Sequence, residues 1–146
     1  MGVISMTEVN IADLKALVVD DHIIIRRDLE LFLKNMGCKH VDQAGNVNDA
    51  QEKMGKGHYN IVFLDWNMPG KSGFHLLQQC RANKAYDDVA FVIVSAESDD
   101  RFIIEALKAG ATSYIVKPVA EATLQEHLKK VITWISKRPG ATRQTA

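Results

Sequence analysis

Cysteine and net charge are both scarce in this sequence, and each shortage excludes a class of protein. Only two of the 146 residues are cysteines, Cys38 and Cys80, and they form no C-x-x-C pair, so we expect neither a metal knuckle nor a redox motif. Basic and acidic residues number 18 each, so the net charge is zero and gives no indication of a nucleic-acid partner or a membrane surface.

Long apolar runs are also missing. No run approaches the roughly 18 residues that a membrane-spanning helix needs, and no signal peptide is visible, so we expect a cytoplasmic protein. Hydrophobic residues make up 47% of the chain and charged residues 25%, which is ordinary for a globular protein. A chain of 146 residues is expected to form one domain with a core that needs no disulfide or metal to hold it.

Short apolar runs alternate five times with amphipathic segments. The predicted strands have the sequences LKALVVDD, KHVDQAG, YNIVFLD, VAFVIVSA and TSYIVKP. The predicted helices have the sequences HIIIRRDLELFLKNMG, NVNDAQEKMGKG, KSGFHLLQQCRANK, DDRFIIEALKAG and EATLQEHLKKVITWISK. Apolar strands that alternate with helices are typical of a parallel sheet covered on both faces. The sequence therefore predicts an α/β fold with a doubly wound, five-stranded parallel sheet.

The alternating pattern spans residues 14–137, which we expect to form the folded domain. Residues 1–13 precede it as an N-terminal arm, for which an edge strand, a short helix and a loose segment all remain open. The polar residues 138–146 are predicted to be a disordered tail.

Chemically reactive side chains stand at the ends of four predicted strands. They are Asp20 and Asp21, Asp65, Ser95 and Lys117. Each has a simpler explanation by itself, as a helix cap, a turn residue, a loop serine or an exposed strand end. In a parallel sheet, however, all these ends meet at one edge, where doubly wound folds bind their ligands. We therefore expect the five side chains to share one cleft.

Three carboxylates in one cleft require a cation. Two like charges about 4 Å apart cost roughly 4 kcal/mol at an effective dielectric constant near 20. An all-oxygen set of ligands without His or Cys suits Mg²⁺, which often completes its shell with phosphate oxygens. The cluster therefore predicts phosphoryl transfer onto Asp65, with Lys117, Ser95 and the backbone N–H of Ala96 binding the phosphoryl oxygens.

The same stretches resemble a known family. LVVDDH, the pair Arg26-Arg27, DWNMPG, VSAE, KAGATSYIVKP and EATLQEHL are similar to the receiver domain of two-component response regulators, especially its single-domain chemotaxis members. Each short match is weak, but the ordered set D-D, D, S and K-P within an α/β repeat is specific. The resemblance implies the flavodoxin-like strand order 2-1-3-4-5. It also implies that Asp65 accepts a phosphoryl group from a sensor histidine kinase.

The resemblance also assigns roles within the cleft. Asp21, Asp65 and the backbone carbonyl of Asn67 would bind Mg²⁺, and Asp20 would support the metal through water. Ser95 would move toward the phosphoryl group, and Lys117 would pair with the phosphate or with Asp65. Further implied features are a cis peptide bond before Pro118, an aromatic switch at Tyr114, and a short phosphate lifetime set by Asn67 and Glu97.

The implied output is contact with another protein, because only a short tail follows Lys137. The family's contact surface lies on the fourth helix, fifth strand and fifth helix, and here it would include Phe102, Ile103, Tyr114, Val116, His127 and Lys130. We expect a monomer that signals to a flagellar motor switch or another target and binds neither nucleic acid nor membrane. The acidic pair Asp99-Asp100 and Val119, where the family often has Phe, keep a phosphorelay intermediate or phosphate sink open as the alternative.

Three other functions fit less well. Phosphatases that form an aspartyl phosphate usually carry an acid two residues after the nucleophile, where this chain has Asn67. Dinucleotide-binding modules need G-x-G-x-x-G after the first strand, where this chain has DDHIII. A scaffold that is never phosphorylated would not need the acidic cluster. We therefore expect no enzyme beyond a domain that catalyses its own phosphorylation and dephosphorylation. Trp66 remains open, as a lid on the cleft or as packing.

Overall fold

The computed structural model of the chain describes residues 9–138, which form five consecutive strand–helix units. The strands are β1 (Lys15–Val19), β2 (His40–Ala44), β3 (Ile61–Leu64), β4 (Ala90–Ser95) and β5 (Ser113–Val116). The helices are α1 (Ile23–Asn35), α2 (Val47–Lys56), α3 (Gly73–Arg81), α4 (Asp100–Lys108) and α5 (Glu121–Ser136). Short 3-10 turns lie at Ile11–Asp13 and Lys84–Tyr86. The predicted number, type and order of the main elements are confirmed.

The five strands form one parallel sheet in the order β2-β1-β3-β4-β5, which confirms the order that the family resemblance implied. Val19 at the end of β1 is in register with Leu64 at the end of β3, so the residues that follow these strands emerge side by side. The chain order reverses between β1 and β3, because β2 lies on one side of β1 and the later strands lie on the other. Ligand crevices in doubly wound sheets form at such a reversal, at the carboxyl ends of the strands.

Helices cover both faces of the sheet. Helices α1 and α5 pack on one face, named here the α1/α5 face, and α2, α3 and α4 pack on the other, named the α2–α4 face. All residues of β3 and β4 are buried, which explains why these strands are continuously apolar in sequence. The helices bury one side only: α1 buries Leu29 and Leu33, while Arg27, Leu31 and Lys34 on its other side are exposed.

The ends of the elements follow local chemistry. Strand β1 ends at Val19 rather than at Asp21, although the Asp20 N–H still donates to the Ala44 carbonyl. Asn46 begins α2 by accepting a hydrogen bond from the Asp49 N–H. Ser72 begins α3 in the same way by accepting from the His75 N–H. Asp20 and Asp65 therefore follow directly after the last residues of β1 and β3.

The end of the N-terminal arm packs against α5. Val9 is buried, and its N–H donates a 2.8 Å hydrogen bond to Ser136 Oγ. Predictions for residues 1–8 and 139–146, including most of the proposed disordered tail, lie outside the described residues. Arg138 is described, and its guanidinium lies 3.8 Å from the centre of the Trp134 ring. Across residues 9–138, no helix is both long enough and apolar enough to cross a bilayer.

Candidate functional site

The predicted cleft forms at the carboxyl end of the sheet and has an ion pair at its centre. Lys117 Nζ lies 2.8 Å from Asp20 Oδ2 and 3.5 Å from Asp65 Oδ2. The side chains of Asp20 and Asp65 are only 2% and 6% exposed. The sequence had predicted that Lys117 pairs with a phosphate or with Asp65. In the structure it contacts both carboxylates, and the hydrogen bond goes to Asp20.

The cleft carries more negative than positive charge. Asp20, Asp21, Asp65 and His22 each offer one ligand atom, and these atoms all lie within 4.8 Å of one another. Asp21 Oδ1 is buried and accepts no hydrogen bond from residues 9–138, although His22 Nδ1 lies 3.3 Å away. A buried carboxylate oxygen without a hydrogen-bond donor is costly unless a cation approaches it. The cluster therefore fits a divalent metal ion.

Asp65 is held in an environment that opposes its charge. Burial raises the pKa of the Asp65 carboxyl above its ordinary value, and the neighbouring Asp20 carboxylate raises it further. Lys117 acts in the opposite direction but does not cancel these effects. Asp65 is thus a carboxylate that gains stability when a cation or a covalent partner takes up its charge.

The loop after Asp65 is folded back onto the residue it follows. The Gly73 N–H donates to the Trp66 carbonyl at 2.9 Å. A Cβ added to Gly73 would lie 1.8 Å from the Asp65 carbonyl oxygen, so no larger residue fits without moving that backbone. Gly70 has φ of +84°, which favours glycine at the turn. The start of α3 is therefore packed directly on the backbone of Asp65, a close contact that the sequence analysis did not identify.

Ser95 and Tyr114 are both tied to the loop between β4 and α4. Ser95 Oγ accepts a hydrogen bond from the Glu97 N–H at 3.1 Å, and Tyr114 Oη donates to the Glu97 carbonyl at 2.7 Å. The Tyr114 ring is buried, and burial raises the pKa of its hydroxyl. In this structure the tyrosine therefore points inward. Ala96, whose backbone was predicted to bind phosphoryl oxygens, is exposed at the start of the same loop.

The predicted lifetime residues contact each other. Asn67 Nδ2 donates to Glu97 Oε2 at 3.2 Å, which joins the loop after β3 to the loop after β4 across the mouth of the cleft. Asn67 itself is exposed. Two side chains that the sequence analysis paired only through a resemblance therefore form one polar bridge.

Trp66 is a packing residue rather than an exposed lid, since only 7% of its surface is exposed. Its ring stacks on Phe74 at a centroid distance of 4.5 Å and meets Phe102 edge-on at 5.4 Å. Tyr114 lies 6.5 Å away at a tilt. These four rings, named here the aromatic cluster, connect the residue after Asp65 to α3, α4 and β5.

The predicted partner surface is only partly exposed. Val116 and Lys130 are exposed, Phe102, Ile103 and His127 are half-buried, and Tyr114 is buried. His127 Nδ1 lies 2.7 Å from Ser113 Oγ, which fixes the imidazole against β5. Two apolar side chains of α4 that the sequence analysis omitted, Ile104 and Leu107, are about half exposed. Their helical spacing alone could have placed them on this surface.

Comparison with known proteins agrees with this geometry. Residues 16–129 match the model of the response regulator receiver domain family. Chemotaxis protein CheY-3 of Vibrio cholerae serotype O1 is 37% identical over 119 residues, which cover 82% of this chain and 92% of that protein. Chemotaxis protein CheY of Pseudomonas aeruginosa is 33% identical over 118 residues, covering 81% of this chain and 95% of that protein.

Solved structures share the fold. The structure of Vibrio cholerae chemotaxis protein CheY4 superposes with a TM-score of 0.75 at 30% identity, covering 81% of this chain and 98% of that chain. The receiver domain of a DNA-binding response regulator from Colwellia psychrerythraea superposes with a TM-score of 0.77 at 21% identity, covering 82% of this chain and 98% of that chain, and shows the common fold alone. The strand order, the matched residues 16–129 and the relatives together show that this chain belongs to the response regulator receiver domains of two-component systems.

Proposed function

We propose that residues 14–137 form a phosphorylation-activated signalling switch in which Asp65 accepts a phosphoryl group from a phosphohistidine of a sensor kinase. The observation that carries this proposal is the Asp65 carboxylate, which lies at the carboxyl edge of the sheet with Lys117 Nζ 3.5 Å from its Oδ2. A buried nucleophile beside a cation and a metal-binding cluster is the arrangement that phosphoryl transfer needs, because positioning and charge neutralisation supply most of the catalysis.

Asp21, Asp65 and the Asn67 carbonyl are the protein groups that would hold Mg²⁺, with Asp20 acting through water. The ion, when bound, supplies positive charge to the phosphoryl oxygens. Asp20 also keeps Lys117 in place through the 2.8 Å ion pair, so the ammonium group is already positioned beside Asp65 before a phosphoryl group arrives. Asp65 would attack phosphorus as the carboxylate, which Lys117 favours over the neutral acid, forming a P–O bond as the P–N bond to the kinase histidine breaks and its imidazole leaves.

The switch would run through the loop between β4 and α4. Ser95 now accepts from the Glu97 N–H, and after a small movement of this loop its hydroxyl would donate to a phosphoryl oxygen. Because Tyr114 is bonded to the Glu97 carbonyl, that movement also changes the environment of Tyr114. The proposed result is a population shift of the surface that carries Phe102, Ile103, Tyr114, Val116, His127 and Lys130.

We infer a short phosphate lifetime from the bridge between Asn67 and Glu97. Both side chains are polar and stand at the mouth of the cleft, so they hold water beside the phosphoryl group rather than exclude it. The similarity to CheY proteins favours chemotaxis as the pathway, with a flagellar motor switch as the output protein. A phosphorelay intermediate or a phosphate sink is the alternative output for the same site.

Incubation of the purified chain with Mg²⁺ and a small phosphodonor such as acetyl phosphate tests the proposal. We expect acid-labile phosphate on the wild-type chain, up to one per chain, and none on Asp65→Asn. Asp13→Asn is the matched control, because Asp13 is exposed and lies before β1 at the opposite end of the sheet. Phosphate incorporation into Asp65→Asn at the wild-type level would refute the assignment of the nucleophile.

The output is tested by binding of candidate targets to the chain with and without beryllofluoride, a phosphoryl mimic. Stronger binding of a flagellar motor-switch protein to the beryllofluoride form would support chemotaxis. Rapid phosphate exchange with a histidine phosphotransfer protein, without mimic-dependent binding of a motor-switch protein, would favour the relay.

A further inference from the structure

His22 places a nitrogen atom inside the acidic cluster. Its Nδ1 lies 3.1 Å from Asp20 Oδ1 and 3.3 Å from Asp21 Oδ1. The sequence analysis treated the cluster as an all-oxygen site and did not include this residue. The structure therefore adds an imidazole to the groups that surround the proposed metal position.

The backbone holds His22 in this place. His22 is the residue that caps the start of α1, and its N–H donates to Asp20 Oδ1 at 2.9 Å while its carbonyl accepts from the Arg26 N–H. The imidazole itself makes no capping hydrogen bond to α1. The side chain is thus not needed to begin the helix, and its observed contacts are with the two carboxylates.

The distances suit shared coordination of one ion. In an octahedral site with bonds of about 2.1 Å, neighbouring ligand atoms stand about 3.0 Å apart. Asp21 Oδ1 stands 3.3 Å from Nδ1, close to that value, and Asp65 offers an oxygen within 4.8 Å of both atoms. The 3.1 Å contact of Nδ1 with Asp20 Oδ1 is a hydrogen-bond distance. Asp21 Oδ1 is also the buried oxygen that accepts no hydrogen bond in the described part of the chain, so no hydrogen bond from residues 9–138 competes with an ion for it.

Imidazole nitrogen changes which metals a site prefers. Mg²⁺ selects oxygen ligands, whereas Co²⁺, Ni²⁺ and Zn²⁺ accept imidazole and bind mixed nitrogen and oxygen sites more tightly. Coordination through Nδ1 requires the tautomer with its proton on Nε2. The His22 side chain is 64% exposed, so in this tautomer the Nε2 proton can be donated to water. Asp20 Oδ1 would keep the hydrogen bond from the His22 backbone N–H.

We propose that His22 Nδ1 is a metal ligand that admits Co²⁺, Ni²⁺ or Zn²⁺ to the acidic cluster together with Asp21 and Asp65, in competition with Mg²⁺. The inference rests on the proposed function, because it uses the same carboxylates. Since the two kinds of ion share Asp21 and Asp65, only one of them binds at a time. The receiver site then has two metal-bound forms that differ in whether the imidazole is coordinated.

Titration of the full chain with Mg²⁺ and, separately, with Co²⁺ tests this proposal by calorimetry and by spectroscopy. Wild-type chain is expected to bind Co²⁺ more tightly than Mg²⁺ and to show a hyperfine-shifted imidazole N–H proton. His22→Asn should lose that proton signal and at least about tenfold in Co²⁺ affinity, the lower end of what even an indirect partner of a metal ligand contributes. Its Mg²⁺ affinity should be unchanged, which also shows that the variant is folded.

Two further variants make the outcome specific. His58→Asn is the matched control, because His58 is exposed at the opposite end of the sheet, before β3, and its loss should change neither affinity. Asp21→Asn should weaken the binding of both Mg²⁺ and Co²⁺. If His22→Asn bound Co²⁺ as tightly as the wild type and kept the shifted imidazole signal, the inference would be overturned and the Mg²⁺ site would stand. Failure of Mg²⁺ to bind the wild type would count against the proposed function instead, and the imidazole signal would still report on His22.

Discussion

The two faces of the sheet are built from different side chains and carry different duties. On the α1/α5 face, interlocked leucines such as Leu29, Leu33, Leu124 and Leu128 fill the space between the helices and the sheet. On the α2–α4 face, the aromatic cluster stands beside Asp65 and reaches α4 and β5. Both faces exclude water, but within residues 9–138 only the second contains a chain of ring contacts between the candidate site and the predicted partner surface. We infer that the α1/α5 face contributes mainly to stability and that the aromatic cluster couples the site to the partner surface.

Truncation of a leucine on the α1/α5 face is expected to have the largest effect on stability. Leu33→Ala removes a side chain that is only 1% exposed, so it leaves a cavity and should lower the free energy of unfolding by about 2–5 kcal/mol. Leu31→Ala on the same helix is the control, because Leu31 is 55% exposed and should change stability by less than about 0.5 kcal/mol. Urea denaturation measures both.

The folded fraction of Leu33→Ala should still take up phosphate at the wild-type rate, because Leu33 lies in the last turn of α1, at the end of the helix away from the cleft. If the phosphorylation rate falls only as much as the folded fraction does, the α1/α5 face contributes to stability and not to the chemistry of the cleft. A loss of phosphorylation in fully folded Leu33→Ala would show that the α1/α5 face also supports the site.

Gly73→Ala is expected to lower stability less than Leu33→Ala does, but to reduce phosphorylation more. Its Cβ would lie 1.8 Å from the Asp65 carbonyl oxygen, so the loop after β3 must shift, at a cost of about 1–3 kcal/mol. We expect this shift to displace Asp65 and to abolish most phosphate incorporation. Gly55→Ala is the matched control, because a Cβ at Gly55 of α2 meets no atom within 4 Å, and alanine should stabilise the helix by up to about 1 kcal/mol. Normal phosphorylation of Gly73→Ala would contradict the close packing.

The arrangement of the cleft could be predicted because a parallel sheet leaves little freedom. Once β1, β3, β4 and β5 are parallel neighbours, the residues after them must meet, and the sequence placed Asp20, Asp65 and Lys117 together on that ground alone. What it could not supply was the path of the turns. The position of His22 depends on the backbone between Asp20 and α1, and no periodicity describes that segment.

Close contacts were likewise beyond the sequence pattern. Gly73 follows a predicted turn, where a glycine is ordinary, and only the folded loop shows that it packs on Asp65. Lys117 was expected to pair with a phosphate or with Asp65, and its hydrogen bond to Asp20 depends on side-chain positions in the finished cleft. Trp66 was left open because a tryptophan beside a cleft fits both a lid and packing. Its partners come from α3, α4 and β5, which are distant in sequence.

Phe102→Ala tests the coupling role of the aromatic cluster. The edge contact with Trp66 alone predicts a loss of about 0.5–1.5 kcal/mol in stability, to which the lost burial of the half-buried ring adds. We expect phosphorylation of Asp65 at the wild-type rate, with smaller phosphate-dependent changes in the amide resonances of α4. Phe32→Ala removes a half-buried ring that packs against the α1/α5 face, so it is the matched control. Equal phosphate-dependent changes in both variants would show that the cluster packs without coupling.

The smallest expected effect concerns His127, a residue of α5 that belongs to the predicted partner surface. Burial lowers the pKa of the His127 imidazole below its ordinary value of 6.5, and the neighbouring Lys130 lowers it further. The folded state therefore binds this proton less readily than the unfolded state. Stability from this residue is complete above about pH 6.5 and declines as the pH falls toward the lowered pKa, where the loss levels off.

Lys130→Gln removes the like charge, so we expect the pKa of His127 to rise, as measured from its imidazole proton shifts in an NMR titration. The loss of stability between pH 6.5 and the pKa of His127 should then be smaller than in the wild type. Lys34→Gln on α1 is the control, because Lys34 pairs with Glu30 far from this helix edge and should leave the titration of His127 unchanged. A titration of His127 that moves to lower pH in Lys130→Gln would contradict the assigned cause. Helix α5 contributes Leu124 and Leu128 to the α1/α5 face and His127 to the partner surface. A change in Lys130→Gln that is confined to the pKa of His127 would therefore show that core packing and the partner surface are separate even within one helix.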